Sequence, residues 1–208
     1  MYNCSTKGSG SLTAFEKIDL IVQENTGIIS TTQVIKTGIS KTVFYKYVKE
    51  KSLRQVSHGI YVSENAWTDD MYVLHLRCQD AVFSHDTALF LHDLTDREPL
   101  RFSLTVKRGY NTSRLKSDGV KVYTVKEELT LLGKSTLKTP FGRDVPVYDT
   151  ERTICDLVRY RNNVEIQTLQ NALKSYAKRN DKDLRKLINY AEAFHIESIV
   201  RQYMEVLI

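Results

Sequence analysis

The sequence predicts an α+β chain in two parts. A small helical N-terminal module ends in a strand pair, and a larger C-terminal α+β domain carries a mixed sheet and terminal helices. Three observations predict this. Apolar residues recur at helical spacing through residues 12–51 and again after residue 150. Period-two runs separated by turn residues occupy much of 100–148. The chain has 208 residues, 41% of them hydrophobic, with 9 Gly and 3 Pro. That length suits one to two domains, and about 70% of the unfolded surface disappears on folding at this size. Collagen-like, low-complexity and disordered classes are excluded by the same composition.

Residues 1–11 are rich in Gly, Ser and Thr without apolar periodicity and read as a mobile tail. From Leu12 to Glu24, Phe15, Ile18, Ile21 and Val22 fall on one helical stripe, and Asn25-Thr26-Gly27 stops the helix. Ile28-Ile29 reads as a short apolar link. A second, short helix spans Thr31–Lys36, capped by Ser30 or Thr31 and ended by Gly38. Ser40 is placed to cap a third helix from Lys41 to about Lys51. Val43, Phe44, Tyr47 and Val48 form its inward stripe, with Lys41, Thr42, Tyr45, Lys46 and Lys49 on the other side. Leu53–Val56 and Ile60–Val62 read as strands joined by Ser57-His58-Gly59, where Gly59 tolerates positive φ. This order outlines a winged helix-turn-helix over residues 12–66, its third helix sized to enter a DNA major groove.

Residues 65–69 read as a linker, leaving 67–208 as the second domain. Met71–Cys78 is helical and Ala81–Phe83 a short strand, after which Ser84 is placed to cap a helix over His85–Asp93. Leu100–Lys107 and Val120–Val125 alternate as strands, with Phe102, Leu104 and Val106 inward. Gly133–Thr139 and Val145–Tyr148 flank a turn at 141–144. The last third is helical over Glu151–Tyr160, Val164–Lys178, Asp181–Phe194 and Ile196–Leu207.

The net charge is +5, and its excess sits at the two ends: residues 1–66 hold eight Lys/Arg against five Asp/Glu, residues 67–160 fourteen of each, and residues 161–208 eight against six. A basic end is a candidate phosphate-binding footprint. Cys4, Cys78 and Cys155 are odd in number and far apart, which argues against a disulfide framework or structural zinc and fits a reducing cytoplasm. No basic segment followed by an apolar one opens the chain, so no secretory signal is expected. No apolar run approaches the ~18 residues of a membrane helix, so no membrane partner is expected either.

The helix-turn-helix passing into Leu53-Arg54-Gln55-Val56-Ser57-His58-Gly59-Ile60-Tyr61 is one of three telling blocks. The second runs from Ala81 to Leu94 (AVFSHDTALFLHDL), and the third is Arg152-Thr153-Ile154-Cys155-Asp156-Leu157-Val158. Together, in this order and in a chain of this length, they resemble the AbiEi antitoxins of the AbiE abortive-infection, type IV toxin–antitoxin systems. The resemblance implies an N-terminal winged helix-turn-helix that represses its own operon through inverted repeats, with two copies per operator. It also implies a C-terminal antitoxin domain and, as functional partner, a nucleotidyltransferase-like toxin with which no stable complex forms. His58 stands before the wing glycine where relatives often carry Arg.

The candidate DNA-binding residues are therefore Ser40, Lys41, Thr42, Tyr45, Lys46 and Lys49 of the third helix, with Arg54 and His58 meeting the flanking backbone. Arg101, Lys107, Arg108, Arg114 and Lys116 form a second basic group around a Gly-Tyr-Asn-Thr-Ser loop. Enzyme readings find less support. His85-Asp86 and His92-Asp93 lie seven residues apart, about 10 Å along a helix, too far for both to reach one metal easily. None of the 25 acidic residues has Lys two positions later, and no phosphate-loop, dinucleotide, nucleophile-elbow or zinc-protease motif occurs. Cys155 lies in an apolar helical stripe and reads as core. The expectation is a non-catalytic DNA-binding repressor and antitoxin without metal or cofactor. The alternative is a protein-interaction module that uses the same winged fold.

Overall fold

A computed structural model describes residues 12–207, so the expected tail at 1–11 lies outside the described residues. The described chain is α+β, with ten α-helices and two sheets, and it divides into two compact units between Leu76 and Arg77.

The first unit opens with α1, Ala14–Glu24. Thr13 Oγ1 accepts the Glu16 N–H at 3.3 Å while the Glu16 carboxylate accepts the Thr13 N–H at 2.7 Å, a reciprocal cap that satisfies two orphan donors. The chain then turns through Thr26 and Gly27, whose φ is +91°. A Cβ on Gly27 would stand 2.4 Å from the Ala66 Cβ, so this close approach also requires glycine. Ile28–Ser30, expected to be a link, is strand β1. Three residues are too few to show a period, and only pairing with a distant strand defines them. Ser30 caps α2, Thr31–Lys36, settling the choice between it and Thr31. After α3, Lys41–Glu50, the hairpin of β2, Arg54–Ser57, and β3, Ile60–Val62, completes an antiparallel sheet in the order β1-β3-β2. Ile18, Ile29, Val34, Phe44 and Tyr47 fill the core, with Phe44 and Tyr61 packed edge to face.

Residues 65–69 do not separate the units. α4, Asp70–Arg77, begins on the first unit: the Tyr72 hydroxyl bonds Asn25 Oδ1, and Arg54 Nη2 donates to Thr68 Oγ1 at 3.1 Å. The compact division therefore falls beyond the expected 66/67 boundary.

The second unit holds a mixed five-stranded sheet in the order β6-β5-β4-β8-β7. Its strands are β4 (Val82–Phe83), β5 (Ser103–Lys107), β6 (Lys121–Val125), β7 (Lys134–Lys138) and β8 (Asp144–Tyr148). β5 and β6 run parallel, as do β4 and β8, while β4–β5 and β7–β8 are antiparallel. A short helix not expected from the sequence, α6, Ser113–Ser117, follows the Gly-Tyr-Asn-Thr-Ser loop on the β5–β6 connection, since parallel neighbours need a long crossover. β5 is buried on both faces through Ser103–Val106, so the expected alternation is lost there. Ser84 sits at the N-cap of α5, His85–Leu91, but its hydroxyl makes no capping bond; it accepts from Thr105 Oγ1 at 2.8 Å and meets His85 Nδ1.

Helix α7, Thr150–Arg159, runs through the middle of this unit, buried from Glu151 to Val158. α8 (Ile166–Lys178), α9 (Leu184–Ala193) and α10 (Glu197–Leu207) supply the surrounding apolar faces, such as Leu169, Ala172, Leu173 and Tyr176 at positions i, i+3, i+4 and i+7. Arg152 is fully buried on α7. Its Nε donates to Asp156 Oδ2 at 3.1 Å, and its Nη1 donates to the carbonyls of Leu129 and Leu132 at 2.9 and 2.7 Å. Its guanidinium lies 4.0 Å from the Tyr148 ring centroid and 4.4 Å from that of Phe194. Burial raises the Asp156 carboxyl, with Arg152 and then Arg159 opposing. Removing one member of such a pair strands the other. Arg152→Met is expected to destabilise the second unit by about 3–5 kcal/mol, and adding Asp156→Leu is expected to recover part of the loss. Urea unfolding followed by far-ultraviolet circular dichroism measures both; a double variant as unstable as the sum of the two single variants would contradict this coupling.

Candidate nucleic-acid interface

Helix α3 has two faces that the sequence pattern specifies. Ser40 Oγ accepts the Val43 N–H at 3.4 Å and starts the helix. Phe44 and Tyr47 are buried, and Val43 and Val48 half-buried. The Tyr47 hydroxyl donates to Asp19 Oδ1 at 2.6 Å and locks α3 to α1; burial, then this carboxylate, pushes the phenol far up. On the other face Lys41, Thr42, Tyr45, Lys46 and Lys49 are all exposed, as is Ser40. Among the described residues Lys41, Lys46 and Lys49 form no ion pair, whereas Lys51 is tied to Asp19 at 3.5 Å. Tyr45 is 49% exposed. Burial raises the neighbouring Tyr61 phenol, and Tyr45 adds to the effect.

The hairpin carries Arg54 and His58, both exposed. His58 stands at the β2–β3 turn beside Gly59, whose φ is +69°. The bulge between Gln55 and Ser57 bends β2 before this turn. Arg54 is tethered to Thr68, so its guanidinium is held rather than free-swinging. Two exposed residues escape the sequence reading: Lys36 in the last turn of α2 and Gln55 on β2, whose amide donates to the Ser57 carbonyl at 3.1 Å. Neither lies on the α3 stripe whose periodicity marked the others.

Arg101 stands apart from the rest of the second basic group: it precedes β5, which Lys107 ends and Arg108 follows, and six residues of extended chain span about 20 Å. Arg114 and Lys116 lie on α6, and Lys107 is paired with Glu127 at 3.1 Å. Charge counted along a sequence does not report that a strand separates its ends.

His85 and His92 each have a defined place. His92 Nε2 donates to the Tyr148 carbonyl at 2.7 Å, and its Nδ1 faces Thr150 Oγ1 at 3.3 Å, joining the end of α5 to the start of α7. His85 is buried against Tyr123, with ring centroids 3.4 Å apart and planes 7° apart. Among the described residues no group of three or more His, Cys, Asp or Glu side chains is arranged around a metal position. Cys155 is buried, its thiol donating to the Leu187 carbonyl at 3.6 Å and raised by that burial. No helix among the described residues is long and apolar enough to cross a membrane.

No protein-family model and no curated protein matches the chain. The chain is similar to the crystal structure of the RV2827C protein from Mycobacterium tuberculosis, at 10% identity and a TM-score of 0.44, over 94% of this chain and 82% of that one.

Both histidines titrate below the ordinary value of 6.5. Burial is the leading cause at each; at His85 the cations of Arg152, Arg159 and Lys121 add to it. A lowered folded-state value means that their contribution is full above pH 6.5 and is lost as the pH falls toward the folded value. Stability is expected to drop between pH 7.5 and 5.5, by at most about 1.4 kcal/mol per pH unit for each histidine. His85→Gln is expected to flatten that slope in urea titrations. Equal wild-type stability at the two pH values would contradict it.

Proposed function

We propose that this chain is a sequence-specific DNA-binding repressor of its own operon and the antitoxin of a nucleotidyltransferase-like toxin, acting in the cytoplasm in phage defence. The observation that carries the DNA-binding half is the exposed α3 face, where three lysines without an ion pair among the described residues accompany Thr42 and Tyr45. Lysines attract phosphate without regard to sequence, while a threonine and a tyrosine between them can read base edges. The unit is read as a winged helix-turn-helix: α3 enters the major groove, and the β2–β3 turn with His58 meets the flanking phosphates. Two copies on an inverted repeat supply the symmetry that such an operator requires. The antitoxin half is supported by the resemblance of the three sequence blocks to AbiEi antitoxins; there the toxin is restrained without a stable complex.

Binding to DNA from the chain's own promoter, against a scrambled duplex, tests the first half. Lys41→Ala and Lys46→Ala are expected to weaken both complexes and to lower the salt slope by about 1 each. Thr42→Ala and Tyr45→Ala are expected to reduce discrimination instead, by about 1–3 kcal/mol per base contact. His58→Arg is expected to strengthen binding to both duplexes. Unchanged binding by the four α3 variants would remove this helix from the interface. Binding to a protein partner that is insensitive to salt would favour the interaction-module alternative.

Growth after induction of the toxin encoded beside the gene tests the second half. Residues 77–208 are expected to restore growth without binding the promoter, since the α3 face is absent from them. Failure to rescue by a soluble, folded fragment would contradict this division of roles.

A further inference from the structure

A cavity of about 340 Å³ opens in the second unit, lined from β6, from Asp86 and Leu89 of α5, and from residues 95–101 and 163–168. Tyr123 is part of its wall. One face of the Tyr123 ring is covered by His85, 3.4 Å away and 7° from parallel. Tyr160 lies 5.0 Å from both ring centroids and nearly perpendicular to both planes, so it stands beside the stack and not upon it. The outer face of Tyr123 is thus left uncovered by either ring. His85 is buried at 2% exposure and held through Nδ1 by Ser84 Oγ at 3.0 Å, so the platform is rigid from behind.

The charged lining consists of Asp86, Arg97, Glu98, Arg101, Lys121 and Glu165. Lys121 is paired with Asp86 at 2.7 Å and Arg97 with Glu165 at 3.5 Å, while Arg101 and Glu98 form no ion pair among the described residues. Lys121 and Tyr123 are two residues apart on β6 and so project from one face, about 7 Å apart. A ring that lines the cavity with its outer face left uncovered by both neighbouring rings, and a cation two residues along the strand, suit a ligand that joins a planar base to a phosphate. The mixture of signs suits the same ligand, because carboxylates accept from sugar hydroxyls and base amines while the cations hold the phosphate. The volume is at the lower end of the range of small-molecule sites.

We propose that this cavity binds a nucleotide, with its base stacked on the outer face of Tyr123 and its phosphate held by Lys121 and Arg101. The nucleotide is either free or the terminal unit of a single strand, and the two present the same chemistry to the site. The proposal stands on the geometry of the second unit and does not rest on the α3 reading.

Calorimetry and saturation-transfer NMR on the full chain test it, with AMP, adenosine, inorganic phosphate and a 5′-phosphorylated adenine tetraribonucleotide as probes. AMP is expected to bind at least about tenfold more tightly than adenosine or phosphate alone, since both halves of the ligand are used. Tyr123→Leu is expected to weaken AMP about tenfold, the scale of one base–aromatic stack, and Tyr123→Phe to keep affinity within about twofold. Arg101→Ala is expected to weaken AMP and leave adenosine unchanged. A tetranucleotide that matches AMP, and is equally sensitive to Tyr123→Leu, supports a strand end as the source; AMP binding without tetranucleotide binding at Tyr123 supports a free nucleotide. No AMP binding at millimolar concentration would overturn the proposal. So would phosphate binding as tightly as AMP, or AMP affinity unchanged in a Tyr123→Leu chain that circular dichroism shows to be folded.

Discussion

The second unit is organised around a buried charge. Helix α7 carries the Arg152 guanidinium into the core with no exposed side. A guanidinium there needs its charge and most of its N–H groups met by the protein, and among the described residues only the buried Nη2 lacks a hydrogen-bond partner. Asp156, one turn along the same helix, supplies the countercharge. The carbonyls of Leu129 and Leu132 draw the β6–β7 connection onto the helix, and the rings of Tyr148 and Phe194 sandwich the guanidinium from β8 and from the end of α9. Gly133 is required at this approach, because a Cβ there would come within 2.6 Å of the Arg152 Cβ. One side chain therefore sets how sheet, connection and helices meet.

The caps and ties around that centre follow from it. Asp149 caps α7 by accepting the Arg152 N–H at 2.8 Å, and its other oxygen meets Lys186 at 3.0 Å and the Tyr190 hydroxyl at 3.2 Å on α9. His92 ties α5 to the β8–α7 junction. The His85–Tyr123 stack lies toward the edge strand β6, where polar side chains and a cavity replace close apolar packing. The protein interior is thus most committed near α7 and opens toward β6.

The first unit relies on ordinary means. Reciprocal caps start α1 and α2, and a small apolar core holds three helices on a three-stranded sheet. The Tyr47–Asp19 bond ties α3 to α1 and so fixes the rotation of α3 and with it the direction in which Lys41, Tyr45 and Lys46 point. A partly buried polar bond of this kind specifies orientation more than it adds stability.

Local sequence pattern marked the two faces of α3, the hairpin after it, the helical last third and the positions of the mixed-sheet strands, although β5, buried on both faces, lacks the expected alternation. Element ends were legible to within a few residues. Three features needed the tertiary structure. β1 is three residues long and exists only through its pairing with β3. Arg101 is parted from Lys107 and the basic residues after it because β5 runs between them. The cavity at Tyr123 gathers β6, α5 and residues 95–101 and 163–168 from distant parts of the chain, and His85 became the back of an aromatic platform only when β6 paired beside β5. Local pattern records which face of an element is apolar. It carries no information about which other element meets that face, since that is decided by pairing and packing between residues far apart in sequence.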